Sequence, residues 1–300
     1  MIIKNLLIPL NKVFLFTLTL LIAINISIWR EFLSYESKLN YFEFTMLDVG
    51  QGDSFLIKTP NNYYGLIDTG RGSKVIEELE KQLPYNYDTL EFVILTHPDA
   101  DHIEGFLKLV DFFNVKKLFI NSSVNDNDII KEFSTKINFQ TYSLFDLNDF
   151  TLDLVNFDVL WPKMSEYLQV KDKNDSSVAI AIRYKDLDIY TAGDLPVNYE
   201  VQSVENLKFN DFDILKVGHH GSKTSTGIEF LNILKPEISL ISVGKNNSYG
   251  HPSEEIIGNL GIVKSSIFRT DMDGSISIRS DGYNIKIETS SGKQEIFRVK

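Results

Sequence analysis

The chain has 300 residues, 43% hydrophobic and 24% charged, which is ordinary for a globular protein with a large core. It has no cysteine, which excludes a disulfide framework and any thiolate metal site. Net charge is −11, and residues 1–30 hold Lys4, Lys12 and Arg30 but no acid, so the remainder carries 27 basic and 41 acidic residues, a net −14. That argues against a broad basic surface for nucleic acid. It does not exclude a nuclease, because bound cations would raise the potential at a site itself.

Leu6–Trp29 comes first, with no charge between Lys12 and Arg30. Its length suits one membrane crossing of about 20 residues, and it is apolar on every face. Lys4 and Lys12 precede it, and Arg30 follows, itself soon followed by Glu31 and Glu36, so the positive-inside rule places the N-terminus in the cytoplasm and the rest outside. No small-x-small cleavage site is evident, so residues 1–30 read as an uncleaved anchor. A removed signal segment, giving a secreted chain, is the rival reading. Residues 31–40 read as a polar linker and residues 41–300 as one domain.

Three strand-like runs follow, Phe42–Leu47, Ser54–Lys58 and Tyr63–Ile67, the last two joined by the hairpin signal Pro60-Asn61-Asn62. Between the first two lies Asp48-Val49-Gly50-Gln51-Gly52-Asp53-Ser54. Gly50-Gln51-Gly52 lacks the lysine and the following helix of a nucleotide phosphate loop. The third run ends in Asp68-Thr69-Gly70. Ser73–Leu83 reads as an amphipathic helix and Phe92–Leu95 as a short buried strand.

That strand runs into Thr96-His97-Pro98-Asp99-Ala100-Asp101-His102-Ile103-Glu104-Gly105. Pro98 breaks regular structure, and Ile103–Phe113 has helical spacing, so His97, Asp99, Asp101 and His102 sit on a strand-to-helix turn. Imidazole nitrogen and carboxylate oxygen together suit zinc, manganese or iron. The bland alternative is a solvated acidic turn with Asp101 or His102 as a helix cap.

Lys116–Ile120 reads as a strand, Asp126–Ile137 as a helix, Leu152–Trp161 as a strand and Glu166–Asp175 as a charged loop running into Ser176-Ser177. Ser177–Tyr184 and Leu187–Thr191 read as a hairpin across Lys185-Asp186, ending in Thr191-Ala192-Gly193-Asp194. The strand Phe212–Val217 leads into Gly218-His219-His220-Gly221-Ser222. A helix over Gly227–Leu234 and a strand over Ile238–Val243 follow. The loop Asn246–Ser253 contains His251, and Ser253 caps a helix over Glu254–Leu260. Ile267–Asp271 and Ser275–Arg279 read as closing strands with Asp273-Gly274 as the turn between them. All five histidines, His97, His102, His219, His220 and His251, fall in these motifs.

Taken together, the 96–105 turn, the 48–54 turn and the 218–222 turn resemble the metallo-β-lactamase fold. They are similar in particular to the extracellular hydrolase domain of ComEC-type DNA-uptake channels, and to secreted phosphorylcholine esterases. The resemblance runs from about Phe42 to about Ile287. Asp99 stands where the family's Thr-His-x-His-x-Asp-His-x-x-Gly signature usually has its second histidine. The resemblance implies an α+β, four-layer αβ/βα sandwich with the site where the loops of two sheets meet.

It further implies two divalent metal ions, zinc or manganese, the Asp99 oxygen favouring manganese. His97 and Asp99 are expected on the first ion, and Asp101, His102 and one of His219 or His220 (His220 by preference) on the second. Asp194 is expected to bridge them. Asp68 is expected behind the metal loop, orienting it. Asp53 is expected to contact substrate or cap its turn. Asn174, Ser176 and Ser177 occupy the place of the fold's third histidine, and one or another of them is expected to face the first metal or the substrate, a plain polar turn being the alternative. Asp101 and His251 are expected to act in catalysis, His251 as a proton shuttle or leaving-group contact.

The implied activity is a membrane-anchored, extracytoplasmic phosphodiesterase or nuclease. Its substrate would be DNA, or a lipid or cell-wall phosphodiester such as phosphorylcholine, with a separate channel protein for any translocation. A non-enzymatic, metal-poor binding module at the cell surface is the competing expectation.

Overall fold

The structure is a computed structural model that describes residues 10–38, 41–121, 140–145, 148–163, 172–205, 207 and 211–300. The chain divides into two units, Met1–Asn40 and Tyr41–Lys300. The described residues of the first form one helix, α1 (Leu10–Lys38). Within it, Lys12–Arg30 is long and apolar enough to cross a membrane, with mean hydropathy 1.9 and no part of it buried. The helix continues to Lys38 through the stretch read as a linker, because no proline or glycine stands there to end it.

In the second unit the strands are β1 (Phe42–Met46), β2 (Phe55–Lys58), β3 (Tyr64–Ile67), β4 (Thr89–Leu90), β5 (Phe92–Leu95), β6 (Asn114–Val115), β7 (Lys117–Ile120), β8 (Gln140–Ser143) and β9 (Phe150–Leu152). They continue with β10 (Val155–Trp161), β11 (Ala179–Tyr184), β12 (Leu187–Thr191), β13 (Ile214–Lys216), β14 (Ile238–Ile241), β15 (Ser266–Arg269), β16 (Ile276–Ser280), β17 (Asn284–Thr289) and β18 (Gln294–Arg298). The helices are α2 (Lys74–Gln82), α3 (Ala100–Ile103), α4 (Phe106–Phe112), α5 (Val197–Val204), α6 (Ile228–Leu234), α7 (Glu254–Ile262) and α8 (Thr270–Asp273).

One large sheet runs β18-β17-β16-β1-β2-β3-β5-β7-β8 and the other β15-β14-β13-β12-β11-β10-β9, while β4 and β6 pair in a small two-stranded sheet of their own. Strand alternation builds the layers. Phe92 and Ile94 of β5 enter the core between the sheets, with Phe42, Phe44, Phe157 and Ile180. Val93 and Leu95 point the other way, onto Val75 and Leu79 of α2 and Phe106 and Leu109 of α4. Across the molecule, Leu215 of β13 and Tyr190 of β12 pack against Leu231 of α6 and Leu260 of α7. The result is the expected αβ/βα sandwich, and strands buried on both faces explain the continuous apolar runs in the sequence.

Three sequence expectations are corrected. The helix read over Ile103–Phe113 is interrupted between α3 and α4. The Gly105 amide donates to the Gly70 carbonyl (2.9 Å), while the Asp101 carbonyl accepts from the Asp53 amide (3.1 Å). A continuous helix needs those two groups for each other. Leu152–Trp161 is a hairpin rather than one strand: Asp153 turns at φ +55°, and its carboxylate is held by the Asn61 amide and side chain. Ile267–Asp271 and Ser275–Arg279 do not pair. β15 lies parallel to β14 in one sheet and β16 antiparallel to β1 in the other, with α8 crossing between. Thr270 pins that crossover by exchanging hydrogen bonds with Val243 (2.8 and 2.9 Å). The helix expected over Asp126–Ile137 lies outside the described residues.

Candidate metal centre

The turns after β3, β5, β12 and β13 leave their strands at the same edge of the two sheets and carry the polar residues. Asp68 ends β3 in a left-handed conformation, φ +54°. Its carboxylate accepts from the Thr96 amide (2.8 Å) and the Thr96 hydroxyl (2.7 Å), and pairs with His102 Nδ1 (2.7 Å). That fixes the His102 ring with Nδ1–H toward Asp68 and Nε2 turned to the centre, where it can ligate once its proton is displaced. The Ser242 carbonyl does the same for His220, 2.8 Å from Nδ1. His219 and His220 both adopt positive φ, 48° and 55°, in a turn bounded by glycines.

Asp194 is central. Its Oδ1 lies 3.3 Å from His102 Nε2 and 3.8 Å from His220 Nε2. Its Oδ2 lies 3.8 Å from His97 Nε2 and 3.4 Å from His219 Nε2. Asp101 joins the first side, 3.4 Å from His220 Nε2. A Ser177 hydroxyl accepts from the Asp194 amide (3.2 Å), so Ser177 braces Asp194 from behind. Gly193 takes φ +51°, and a Cβ there would lie 2.8 Å from the Thr96 hydroxyl, so only glycine fits the close approach of the two turns.

Residues 47–120 match the family model of the metallo-β-lactamase superfamily. Residue for residue, that span holds the Asp68 and 96–105 turns just described. The chain has the metallo-β-lactamase fold. Among solved structures of this fold, YhfI from Bacillus subtilis is similar with TM-score 0.55 and 12% identity, over 80% of this chain and 100% of that one. CmlA, a diiron β-hydroxylase from Streptomyces venezuelae, is similar with TM-score 0.54 and 13% identity, over 80% of this chain and 54% of that one. Among curated relatives, ComE operon protein 3 of Bacillus subtilis is 33% identical over 79% of this chain and 33% of its own length. Competence protein ComA of Neisseria gonorrhoeae is 27% identical over 77% of this chain and 31% of its own length. The chain thus spans about a third of the length of the curated relatives it matches.

In this metallo-β-lactamase-fold centre the donor set fits divalent cations. The Nε2 atoms of His97, His102 and His220 and Oδ1 of Asp194 are buried without a hydrogen-bond partner. Each such atom left bare costs about 1–3 kcal/mol, so their convergence points to a ligand. Their atoms fall into overlapping triads, among them His97-His102-Asp194 and Asp101-His102-His220.

Protonation follows the same geometry. Burial, then the neighbouring His102, hold the His97 imidazole well below its ordinary pKa, so it is neutral. Burial opposes a charge on His220, but Asp194 and Asp53 outweigh it and push the imidazole up to about 9. Burial would raise Asp101, and the neighbouring His220, 3.4 Å away, followed by His102, reverses that, keeping it ionised.

The other expected residues sit as follows. Asp99 stands apart from the triads, its Oδ2 3.8 Å from His97 Nε2 and its Oδ1 3.2 Å from Lys173 Nζ. The Ser176 hydroxyl donates to the Lys173 carbonyl (2.5 Å) rather than facing the centre. Asn174 Oδ1 is buried without a partner. Asp53, read as a substrate contact or turn cap, is fully buried and ion-paired. The His251 ring packs 6.0 Å from that of His219.

Asp53's partner is Lys216, which the sequence reading missed. Its ammonium pairs with Asp53 Oδ2 and donates to the Gly193 carbonyl (2.9 Å). It therefore ties the 53 turn of one sheet to the 193 turn of the other. A lysine inside an apolar strand was the available signal. Glu200 of α5 was also missed. Fully buried, it accepts from the Thr226 amide (2.6 Å), and the Thr226 hydroxyl in turn accepts from the Gly218 amide (2.8 Å), which holds the histidine turn from below.

Proposed function

We propose that the chain is a metal-dependent phosphodiesterase acting on nucleic acid, held at a membrane by α1 with residues 41–300 on the outer side. The observation that carries the chemistry is the division around Asp194. One oxygen faces His102 and His220, with Asp101 beside them, and the other faces His97 and His219. That division supports two cation sites sharing one carboxylate. On this reading His219 would join His97 on one ion, and Asp99, 3.2 Å from Lys173 Nζ, would not be a ligand.

Divalent cations bound there supply Lewis acidity, lowering the pKa of water and offsetting charge on a phosphoryl oxygen. The chain's own groups do the rest. Asp68 and the Ser242 carbonyl hold the His102 and His220 rings with Nε2 turned to the centre, where a cation would displace its proton. Asp101 and Asp194 stay ionised and supply the negative charge a cation pair requires. Burial, then His219, lower the His251 pKa, so at pH 7 its neutral imidazole offers a hydrogen-bond partner for a leaving oxygen at the edge of the centre. Nucleic acid as substrate is supported by the competence name of the Neisseria relative and by the similarity to ComE operon protein 3. The outward orientation rests on the two lysines, Lys4 and Lys12, before the apolar segment against the one Arg30 directly after it.

The test uses the full chain in detergent. Bound metal is counted, and single-stranded DNA, double-stranded DNA and a chromogenic phosphodiester are offered with manganese or zinc. Cleavage is expected with two metal equivalents and is expected to fall by at least about 100-fold in Asp101→Ala and His102→Ala. Cleavage that survives both substitutions overturns the assignment.

A further inference from the structure

We propose that Tyr249, backed by His251, is a stacking subsite that holds a nucleobase beside the phosphodiester under attack; this deepens the phosphodiesterase reading and rests on it. Tyr249 is 64% exposed, so its ring contributes little to the core. Yet the turn that carries it is fixed. One side chain, Asn247, accepts from the amides of Tyr249 (3.2 Å) and His251 (3.1 Å). Its amide nitrogen donates to the carbonyls of Gly244 (3.1 Å) and His251 (2.7 Å). Gly250 supplies the reversal at φ +71°.

The turn is also seated on the histidine loop. The Ser253 amide donates to the Gly221 carbonyl (2.9 Å), and a Cβ on Gly221 would lie 2.5 Å from Pro252 Cβ. A row of rings leads inward from solvent. Tyr249 and His251 are stacked, with centroids 5.9 Å apart and planes at 17°. His251 meets His219 at 6.0 Å, and His219 Nε2 lies 3.4 Å from Asp194 Oδ2.

A rigid, exposed aromatic face binds a flat partner without first having to be ordered. The chain is acidic, so it lacks the broad electrostatic attraction that usually holds a nucleic acid strand. Stacking supplies affinity without net charge, and every base has a π-face to offer. One ring backed by one imidazole makes a flat platform, whereas a quaternary ammonium is gripped by aromatic walls on several sides. The geometry therefore favours a nucleobase over a choline headgroup.

The test compares Tyr249→Ala and Tyr249→Phe with the wild-type full chain in detergent. Two esters share one leaving group: thymidine 5′-(p-nitrophenyl phosphate), which carries a base, and methyl p-nitrophenyl phosphate, which does not. Tyr249→Ala is expected to lose about 10- to 100-fold in kcat/KM on the nucleotide ester, mainly through KM, and at least about tenfold less on the methyl ester. Tyr249→Phe is expected to keep most of the wild-type value. A second readout needs no turnover: in EDTA, fluorescence anisotropy of a labelled oligothymidine should weaken with Tyr249→Ala but not with Tyr249→Phe, and an abasic strand of equal length should bind weakly to wild type.

Equal losses on both esters, or wild-type binding indifferent to the bases, overturn the subsite while leaving the phosphodiesterase reading intact. No turnover of either ester but base-dependent, Tyr249-dependent binding retains the subsite and removes the enzyme. A Tyr249→Ala defect confined to p-nitrophenyl phosphorylcholine overturns the nucleobase.

Discussion

Replacing Lys216 with methionine keeps most of the side chain's bulk and deletes its charge. Both Lys216 and Asp53 are 0% exposed, so solvent does not screen the pair. Burial would raise the Asp53 carboxyl, and the Lys216 ammonium, followed by His220, holds it below its ordinary value instead. Removing one partner of such a pair leaves an uncompensated buried charge, which costs about 3–5 kcal/mol. For a domain of this size that is a Tm lower by on the order of 10 °C. Calorimetry of the full chain in detergent and EDTA reads the change without a metal contribution. Asp53→Asn combined with Lys216→Met removes both charges, so the double variant should be at least about 2 kcal/mol more stable than the sum of the single losses predicts. Strict additivity, or a Lys216→Met change under about 1 kcal/mol, refutes the claim that this pair ties the two sheets together at the site.

Other outcomes follow from neighbouring groups. Burial pushes the Glu200 carboxyl up to about 8 against the opposing hydrogen bonds of Thr226, from an ordinary value of 4.5. The folded chain keeps a proton there that the unfolded chain has released, so this contribution is complete below about pH 4.5 and is lost as pH rises through about 8. Glu200→Gln should flatten the fall in denaturation free energy between pH 6 and 8, a slope of roughly 1.4 kcal/mol per pH unit, and an unchanged slope contradicts the assignment. Asp68→Asn removes the carboxylate 2.7 Å from His102 Nδ1 and should weaken metal binding about 10- to 100-fold in competition with a chelating dye. Because carboxylates raise the pKa of His102 and His220, zinc binding at pH 7 should release protons, seen as a binding heat that changes with the buffer's ionisation enthalpy.

Much of the site was legible because its chemistry is concentrated. His97, Asp101 and His102 lie within one short turn, and Asp194 and the His219-His220 pair each end an apolar strand, so local pattern put each at a strand end and the family resemblance brought them to one site. What the sequence concealed depends on contacts distant in the chain. Lys216 looks like a stray charge in a strand until Asp53 is brought across from the other sheet. Ile103–Phe113 has an unbroken helical pattern, and only the carbonyls and amides of the 52–53 and 69–70 turns compete for its backbone. Asp273-Gly274 has the chemistry of a hairpin turn. Which sheet each flanking strand joins is decided instead by pairing with β14 and β1, a choice that no local propensity carries.

The central claim is that Asp194 stands between two cations. Crystals of the chain grown with zinc or manganese and measured at each metal's absorption edge test it directly. The account predicts two anomalous peaks about 3.5–4 Å apart, one beside each Asp194 oxygen, with His102 and His220 on one and His97 and His219 on the other. A single peak, or peaks away from Asp194, contradicts it.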